Sequence, residues 1–192
     1  MPPKAKFTRD DVIKKAIDLV EREGIDALSA RSLGKELGSS ARPIFTLFSG
    51  MDEVIAAVHS YANSLYGNYV EKGLSEELPF KGVGKAYIRF ACERPRLFQL
   101  LFMQEIDGHP DKNAVLQGIE EHYEEIILSI QNSYGLEREE AIGLYFHLWV
   151  YSHGIAVLIA TKVCVFSEDQ ITQMITEIFT SLLKRLKTEG RL

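Results

Sequence analysis

The chain has 192 residues, of which 46% are hydrophobic and 26% are charged, and its formal net charge is −5. That balance is typical of a globular protein with a buried core, and it excludes a disordered tail, a collagen-like repeat and a disulfide scaffold. The two cysteines, Cys92 and Cys164, form no CxxC motif, which favours free thiols in a reducing compartment. We expect a cytoplasmic protein without a membrane span, because neither a signal core nor a run of about 18 apolar residues occurs.

Acidic and basic side chains are distributed unevenly along the chain. Residues 1–50 carry nine basic and seven acidic side chains, whereas residues 51–192 carry thirteen basic and twenty acidic ones. The first part, which we call the head, is therefore mildly basic although the whole chain is acidic. This asymmetry permits the head to face nucleic-acid phosphates.

The first predicted element is an amphipathic helix that begins after Thr8. Its apolar residues recur at helical spacing as far as Val20, and Thr8 and Asp11 have the spacing of a capping box. Gly24 ends the helix. The candidates for a flexible arm that contacts phosphate are the basic residues Lys4, Lys6 and Arg9.

Two short helices follow, with a tight turn between them. The first begins after Ser29 and ends at Gly38, and we expect Ser40 to cap the second, over residues 41–48. Pro43 falls in the first turn of that second helix, where its missing N–H is tolerated. The pattern matches a helix-turn-helix, in which the second helix enters the major groove of DNA. A plain corner between two helices is the alternative.

The two faces of the second short helix have different expected roles. Ile44 and Phe48 face the core of the head, which leaves Arg42, Phe45 and Thr46 at the outer face. Arg42 is able to make a bidentate contact with guanine, and the free N–H groups at the two helix starts are able to bind phosphate. The predicted DNA-binding residues are Ser29, Arg31, Ser40, Arg42, Phe45 and Thr46.

The pattern of the body, residues 51–192, is also helical, with an expected loop at residues 106–111. The predicted helices cover residues 51–72, 80–93, 95–103, 116–134, 137–162 and 168–187. A strand over residues 163–166 has no partner and is disfavoured. We therefore predict an all-α fold in which a three-helix head is joined by a long helix to an all-helical domain over residues 51–192.

Four segments carry a pattern that is typical of one family. They read GIDALS at residues 24–29, LGKELGSS at 33–40, IFTLF at 44–48 and MDEV at 51–54. Over about a quarter of its length the chain thus resembles the TetR family of bacterial transcriptional regulators. The resemblance implies a homodimeric repressor that binds a palindromic DNA operator, while its body binds a small effector and dimerises through the last two helices.

Four positions depart from the family pattern, and one of them is Pro43, which is uncommon in the family. Phe45 stands where the family has a tyrosine, and Met51 stands where it has a lysine. Both family residues are phosphate contacts, so two polar groups that would strengthen binding to the DNA backbone are missing. Gly34 replaces the usual alanine.

The body contains no enzyme motif of the GxSxG, P-loop, HExxH or GxGxxG type. We therefore expect no catalysis, no cofactor and no metal. His122 lies in the acidic stretch at residues 120–125, where a solvated helix face is favoured over a divalent-metal site. An all-α enzyme that uses His147 or His153 as a general base is the weakest alternative, because no partner group stands at a suitable spacing.

The segment at residues 145–154 is rich in aromatic residues and histidine. Trp149 and His153 share a helix face, with Tyr145 in line one turn earlier. Such groups form either a core with satisfied hydrogen bonds or the wall of a pocket for an apolar or aromatic effector, and both interpretations stay open. The predicted ligand-binding residues are Tyr87, Phe90, Phe98, Phe102, Met103, Tyr123, Trp149 and His153.

The last predicted helix is hydrophobic around much of its circumference, and the helix before it carries small residues such as Gly154 and Ala160. One apolar face can cover the body, and a second copy is the simplest partner for the rest. We predict a homodimer formed through residues 137–162 and 168–187. The alternative function is a helical small-molecule-binding protein whose head no longer binds DNA.

Overall fold

The computed structural model describes residues 7–105, 108, 111 and 114–189. Its α-helices are α1 Arg9–Glu23, α2 Ala30–Glu36, α3 Arg42–Leu47, α4 Met51–Leu74, α5 Pro79–Glu93, α6 Pro95–Phe102, α7 Val115–Ile119, α8 Tyr123–Tyr134, α9 Arg138–Ala160 and α10 Glu168–Glu189. Within the described residues there is no strand, including at 163–166. The predicted all-α fold is confirmed.

The helices form two compact units. The first contains the described residues up to Leu65 together with Arg96–Met103, and the second contains Tyr66–Pro95 and the described residues from Gln104 onwards. Helix α4 therefore contributes residues to both units. The division of functions at residue 50 stays a prediction.

In the first unit, local capping sets the start of two helices. The Thr8 hydroxyl accepts the Asp11 N–H at 3.2 Å, and the Asp11 carboxylate accepts the Thr8 N–H at 2.9 Å. Ser29 and Ser32 form the same reciprocal pair at the start of α2. These bonds satisfy N–H groups that have no partner within the helix, as the sequence predicts. The buried side chains of this unit include Val12, Ala16, Val20, Leu33, Ile44 and Phe48.

The start of α3 differs from the prediction. The residue that precedes the helix is Ala41, and no side chain caps its first turn. The Ser40 hydroxyl accepts only the Arg42 N–H, at 3.4 Å. Pro43 is the second residue of the helix and supplies no N–H to a capping side chain, so the expected Ser40 cap is wrong.

In the second unit, α5, α8 and α9 pack against one another and α10 packs on α9. The backbones of α4 and α5 meet at Gly73 and Gly82, where a Cβ on Gly82 would lie 2.2 Å from the Gly73 carbonyl oxygen. Only glycine at both positions permits this approach. The contact fixes where α5 crosses the end of α4.

The predicted helix over residues 116–134 is interrupted. It consists of α7 and α8, and Glu120 between them is extended. Gly118 weakens the helix just before the break, and the Glu120 carboxylate accepts the His122 N–H at 3.1 Å. This local bond takes the place of a helical one. The interruption turns Glu120 into the interior.

Helix α9 is unusually apolar for a helix of a globular fold. Its mean hydropathy reaches 1.5, so by length and composition alone it could cross a membrane. The helix packs against α5, α8 and α10 in the second unit. Of the most apolar stretch of the helix, 33% is buried inside the chain by this packing.

Candidate DNA-binding and effector sites

A tight turn holds α2 and α3 together. The backbone at Ser40 and Ala41 passes 3.0 Å from the position that a Cβ on Gly34 would occupy, and Gly38 has a φ of +59°. Gly34 therefore permits the close packing of the turn on α2, and Gly38 permits the left-handed backbone that reverses the chain. The absence of the family's alanine at position 34 has a local structural reason.

The turn presents one face of α3 to solvent. Arg42 and Thr46 are exposed, and Phe45 is 53% exposed, whereas Ile44 is buried. The Thr46 hydroxyl donates to the Arg42 carbonyl oxygen at 3.1 Å. Of the other predicted DNA-binding residues, Ser29, Arg31 and Ser40 are also exposed. All six are accessible, and their contact with DNA stays a prediction.

Arg9 is not part of a flexible arm. It lies in α1, where its guanidinium donates to the Leu47 carbonyl oxygen at 2.8 Å and pairs with Glu53 at 2.7 Å. The same group stands 4.1 Å from the centre of the Phe48 ring, within cation–π distance. The prediction that Arg9 belongs to a flexible arm is therefore wrong, because its side chain is bonded to the end of α3 and the start of α4. Lys4 and Lys6 lie outside the described residues.

The second unit encloses a cavity of about 300 Å³ between α5, α9 and α10. Aromatic side chains make up much of its wall, and four residues on α9 form one stripe of it. The aromatic lining residues are Tyr66, Phe80, Tyr87, Tyr134, Tyr145, Trp149 and Phe179. The polar and charged ones are Lys81, Lys85, Ser152, Thr172, Thr176 and Thr180. An apolar enclosure with a few polar groups is the usual form of a small-molecule site.

Three of the predicted ligand-binding residues meet at this cavity. Tyr87 and Trp149 line it, and His153 contacts both of them. The Tyr87 hydroxyl lies 2.8 Å from His153 Nδ1, and the His153 ring stacks on Trp149 with centroids 5.2 Å apart. Burial lowers the pKa of His153 and raises that of Tyr87, which the hydrogen bond from Trp149 partly offsets. Tyr87 and His153 thus share a hydrogen bond beside the cavity, in which the tautomer of the imidazole determines the donor.

The other five predicted residues do not line the cavity. Phe90 is fully buried against Tyr66, and Tyr123 packs on Tyr145, with ring centroids 5.3 and 6.2 Å apart. Both belong to the core beside the cavity, which agrees with the core-packing interpretation. The remaining three, Phe98, Phe102 and Met103, belong to the first unit, where the Phe98 and Phe102 rings stand 5.2 Å apart.

The acidic stretch contains a buried carboxylate that the solvated-face interpretation did not foresee. Glu120 is 6% exposed, and it accepts the Tyr66 O–H at 2.8 Å as well as the His122 N–H. Burial raises the pKa of Glu120 from its ordinary value, although these two hydrogen bonds act in the opposite direction. A signal was present, because Glu120 falls at helical spacing on the stripe that includes Leu116 and Tyr123.

The described residues around His122 are paired with one another and do not converge on a common point. The His122 Nδ1 lies 2.7 Å from the Glu125 carboxylate, and Glu120 is directed to Tyr66 instead. Among the residues that the structure describes, no group of three His, Cys, Asp or Glu side chains is placed to hold a metal ion.

The body also matches a known family. The model of the tetracyclin repressor-like C-terminal domain matches residues 80–186. The chain belongs to the TetR family. A curated relative, an uncharacterized HTH-type transcriptional regulator of Mycobacterium tuberculosis, is 21% identical over 194 aligned positions, which cover 97% of this chain and 86% of that protein. The chain is therefore a TetR family transcriptional regulator, as the pattern in its head predicts.

Much of the cavity wall of this TetR regulator is not among the residues that the sequence pattern predicts. The pattern predicts no role for Tyr66, and it predicts that the residues of α10 form the dimer interface. The signal on α10 is a double stripe at helical spacing, apolar at Ile171, Ile175 and Phe179 and hydroxylated at Thr172, Thr176 and Thr180. A helix that presents threonines beside its apolar stripe fits a surface that faces a ligand.

Proposed function

We propose that this TetR family regulator is a ligand-responsive repressor that acts in the cytoplasm. In this proposal, residues 1–50 bind a palindromic operator, and residues 51–192 dimerise and bind a small, largely apolar or aromatic effector that releases the DNA. The observation that carries the proposal is the glycine-tightened pair of α2 and α3 with the outer face of α3 exposed.

The side chains on that face suit the major groove. Within the described residues, the Arg42 guanidinium makes no ion pair or hydrogen bond, so it is available for a bidentate contact with guanine. Thr46, one turn later, offers a hydroxyl and a methyl group to base edges. Ser29 and Arg31 stand at the start of α2, where N–H groups and positive charge favour phosphate.

A second copy of the chain would cover the exposed face of α9. His147, Val150, Gly154 and Leu158 lie on this face at helical spacing, with Val150 49% exposed and Leu158 37% exposed. Apolar surface of this kind is covered by a partner in stable proteins, and a two-fold dimer presents the same face from both copies. Two heads then fit half-sites about 34–36 Å apart.

The effector part of the proposal is supported by the cavity. Its aromatic walls at Tyr87, Tyr145 and Trp149 offer stacking surfaces for a flat, apolar molecule. Tyr66 on α4 is also part of the wall, so an occupant contacts the helix that continues to the head. A ligand shifts the protein between two states only by its difference in affinity for them.

The experiment that tests the proposal is the selection of random DNA duplexes by the purified protein at physiological salt. We expect enrichment of a palindrome with half-sites about one helical turn apart. The Arg42→Ala variant should then lose roughly 1–3 kcal/mol of operator binding free energy. Lys14→Ala, which removes an exposed cation from α1, serves as the matched control and should change affinity little.

A specific observation favours the second candidate, a helical small-molecule-binding protein with a degenerate head. Phe45 and Met51 lack the polar groups that the family pattern places there. If folded, dimeric protein enriches no DNA sequence, the repressor proposal is rejected and this candidate replaces it. Equal operator affinity of Arg42→Ala and Lys14→Ala would reject the role of Arg42 alone.

A further inference from the structure

The wall of the effector cavity is backed by a buried acid, Glu120, that forms no ion pair with a lysine or arginine of the described residues. Glu120 is held by the Tyr66 O–H and the His122 N–H. In the described part of the chain, no lysine, arginine or histidine side chain pairs with it, and the nearby His122 imidazole pairs with Glu125. Buried carboxylates are normally compensated by a positive group. The charge of His122 lowers the pKa of Glu120, but this imidazole is paired with Glu125, so its compensation is divided between two acids.

Tyr66 connects this acid to the cavity. Its ring lines the cavity while its hydroxyl donates to Glu120 at 2.8 Å. The Tyr87 ring stands edge-on to it at 6.0 Å, and Tyr145 and Trp149 complete the aromatic wall. Aromatic faces attract cations, most strongly where water is excluded. The aromatic groups and the acid behind them therefore favour the same sign of ligand charge.

The electrostatic reach of Glu120 agrees with this geometry. After burial, the charge of Glu120 is a further cause that raises the pKa of Tyr66 and of Tyr145. It also contributes to the raised pKa of Tyr87. Its negative potential thus extends to three of the tyrosines that line the cavity.

We propose that the cavity binds an organic cation, an ammonium or similar group on a compact aromatic or apolar body. This inference rests on the proposed function, since it names the chemical class of the effector. The volume of about 300 Å³ is at the small end of ligand sites, which favours a body of one or two rings. The ligand charge adds to the compensation that Glu120 receives from His122, with the Tyr66 ring between the ligand and the acid.

Two lysines of the cavity lining point to the opposite class, an organic anion. Lys81 and Lys85 are both exposed on α5, and Lys85 lies 3.7 Å from the Glu76 carboxylate. Their charges are solvated and screened. Glu120 acts through the interior, where the effective dielectric constant is low and a charge has a larger effect. Glu120 therefore has the larger effect on the ligand, and the cavity prefers a positively charged ligand.

The test uses Trp149, the single tryptophan of the chain, which lines the cavity and reports its occupancy by fluorescence. The probes are benzyltrimethylammonium, its uncharged isostere neopentylbenzene, and the anion hydrocinnamate. We expect the cation to bind at least about tenfold more tightly than the isostere. Glu120→Gln should reduce this preference for the cation several-fold, and the aromatic wall should retain the remainder. Glu121→Gln, at an exposed neighbouring position, should leave the preference intact.

Equal affinities for the cation and its isostere, tighter binding of the anion, or no binding of any probe would each overturn the inference. Unchanged binding of neopentylbenzene to Glu120→Gln shows that its cavity is intact. If that variant does not fold, the inference is tested by the ratio of the affinities for the cation and the isostere in the unaltered protein. Operator binding is measured in a separate experiment. If the protein binds an operator but does not prefer the cation, this inference is rejected and the proposed function is retained.

Discussion

Arg9 on α1 and Glu53 on α4 form an ion pair of 2.7 Å across the end of α3. The guanidinium also donates to the last carbonyl of α3, at Leu47, and lies over the Phe48 ring. Glu53 in turn accepts the Ser49 N–H at 2.7 Å, and this bond and Arg9 hold the Glu53 pKa below its usual range. One side chain therefore connects three helices of the first unit.

We expect Arg9→Ala to lower the thermal midpoint of the protein by a few degrees and to weaken operator binding, because α3 loses its connection to α1. Arg9→Lys should rescue little, since one ammonium cannot replace the fork that reaches both Leu47 and Glu53. Thermal unfolding and DNA titration measure the two effects. Lys15→Ala, which removes an exposed pair with Asp18 at 3.6 Å, is the control. The expectation is contradicted if Lys15→Ala lowers the thermal midpoint and the operator affinity as much as Arg9→Ala does.

Two glycines on α5 should respond to alanine in opposite ways. Gly82→Ala places a methyl group against the Gly73 backbone, so we expect a loss of about 1–3 kcal/mol in the free energy of unfolding. Gly84→Ala meets nothing within 4 Å and should be neutral or gain up to about 1 kcal/mol from helix propensity. Urea denaturation of both variants measures the difference. Equal stabilities would show that the two helices do not touch at Gly82.

The fluorescence of Trp149 should depend on the charge of His153. Burial holds the pKa of this imidazole below its ordinary value of 6.5, so the stability that it contributes is present above pH 6.5 and is lost as the pH falls through the lower folded-state pKa. A protonated imidazole stacked on the indole quenches it. We expect a pH titration of the emission with a midpoint below 6.5 that disappears in His153→Gln. A midpoint at or above 6.5 would place His153 in water.

A dimer through α9 should dissociate when its exposed face becomes charged. Val150→Glu combined with Leu158→Glu places carboxylates in an apolar interface, which is strongly unfavourable without a partner. We expect a monomer by analytical ultracentrifugation and a large loss of operator affinity. Leu128→Glu changes an exposed leucine on α8 instead and should leave the dimer intact. A double variant that stays dimeric would direct the search to α10 alone.

The head could be predicted from sequence further than the body, because its signals are local. The Thr8 cap and the Ser29 cap depend on residues three positions apart, and both occur as predicted. The Ser40 cap failed because Pro43 removed the donor. Arg9 could not be assigned from sequence, since its partners at Leu47 and Glu53 are distant along the chain.

The cavity shows what sequence patterns leave out. Aromatic residues at helical spacing indicate an inward face, and this pattern correctly identifies Trp149 and Tyr87 as residues that line the cavity. The same signal selected Phe98, which lies in the core of the first unit. Periodicity tells which side chains turn inward but not which helices they meet. The charge of Glu120 favours solvent, although its helical spacing from Leu116 and Tyr123 places it on the inward stripe.

The crossing of Gly73 and Gly82 has a mechanical consequence. Neither glycine has a side chain that interlocks at this point, so side-chain contacts between this end of α4 and α5 come from Tyr66 and Tyr69, whose rings meet Phe90. Helix α4 has 24 residues and extends about 36 Å, with Gly73 near one end. A rotation of α4 by about 5° about Gly73 would move the opposite end of the helix, at Met51, by about 3 Å. The displacement is largest where the helix begins, next to α3.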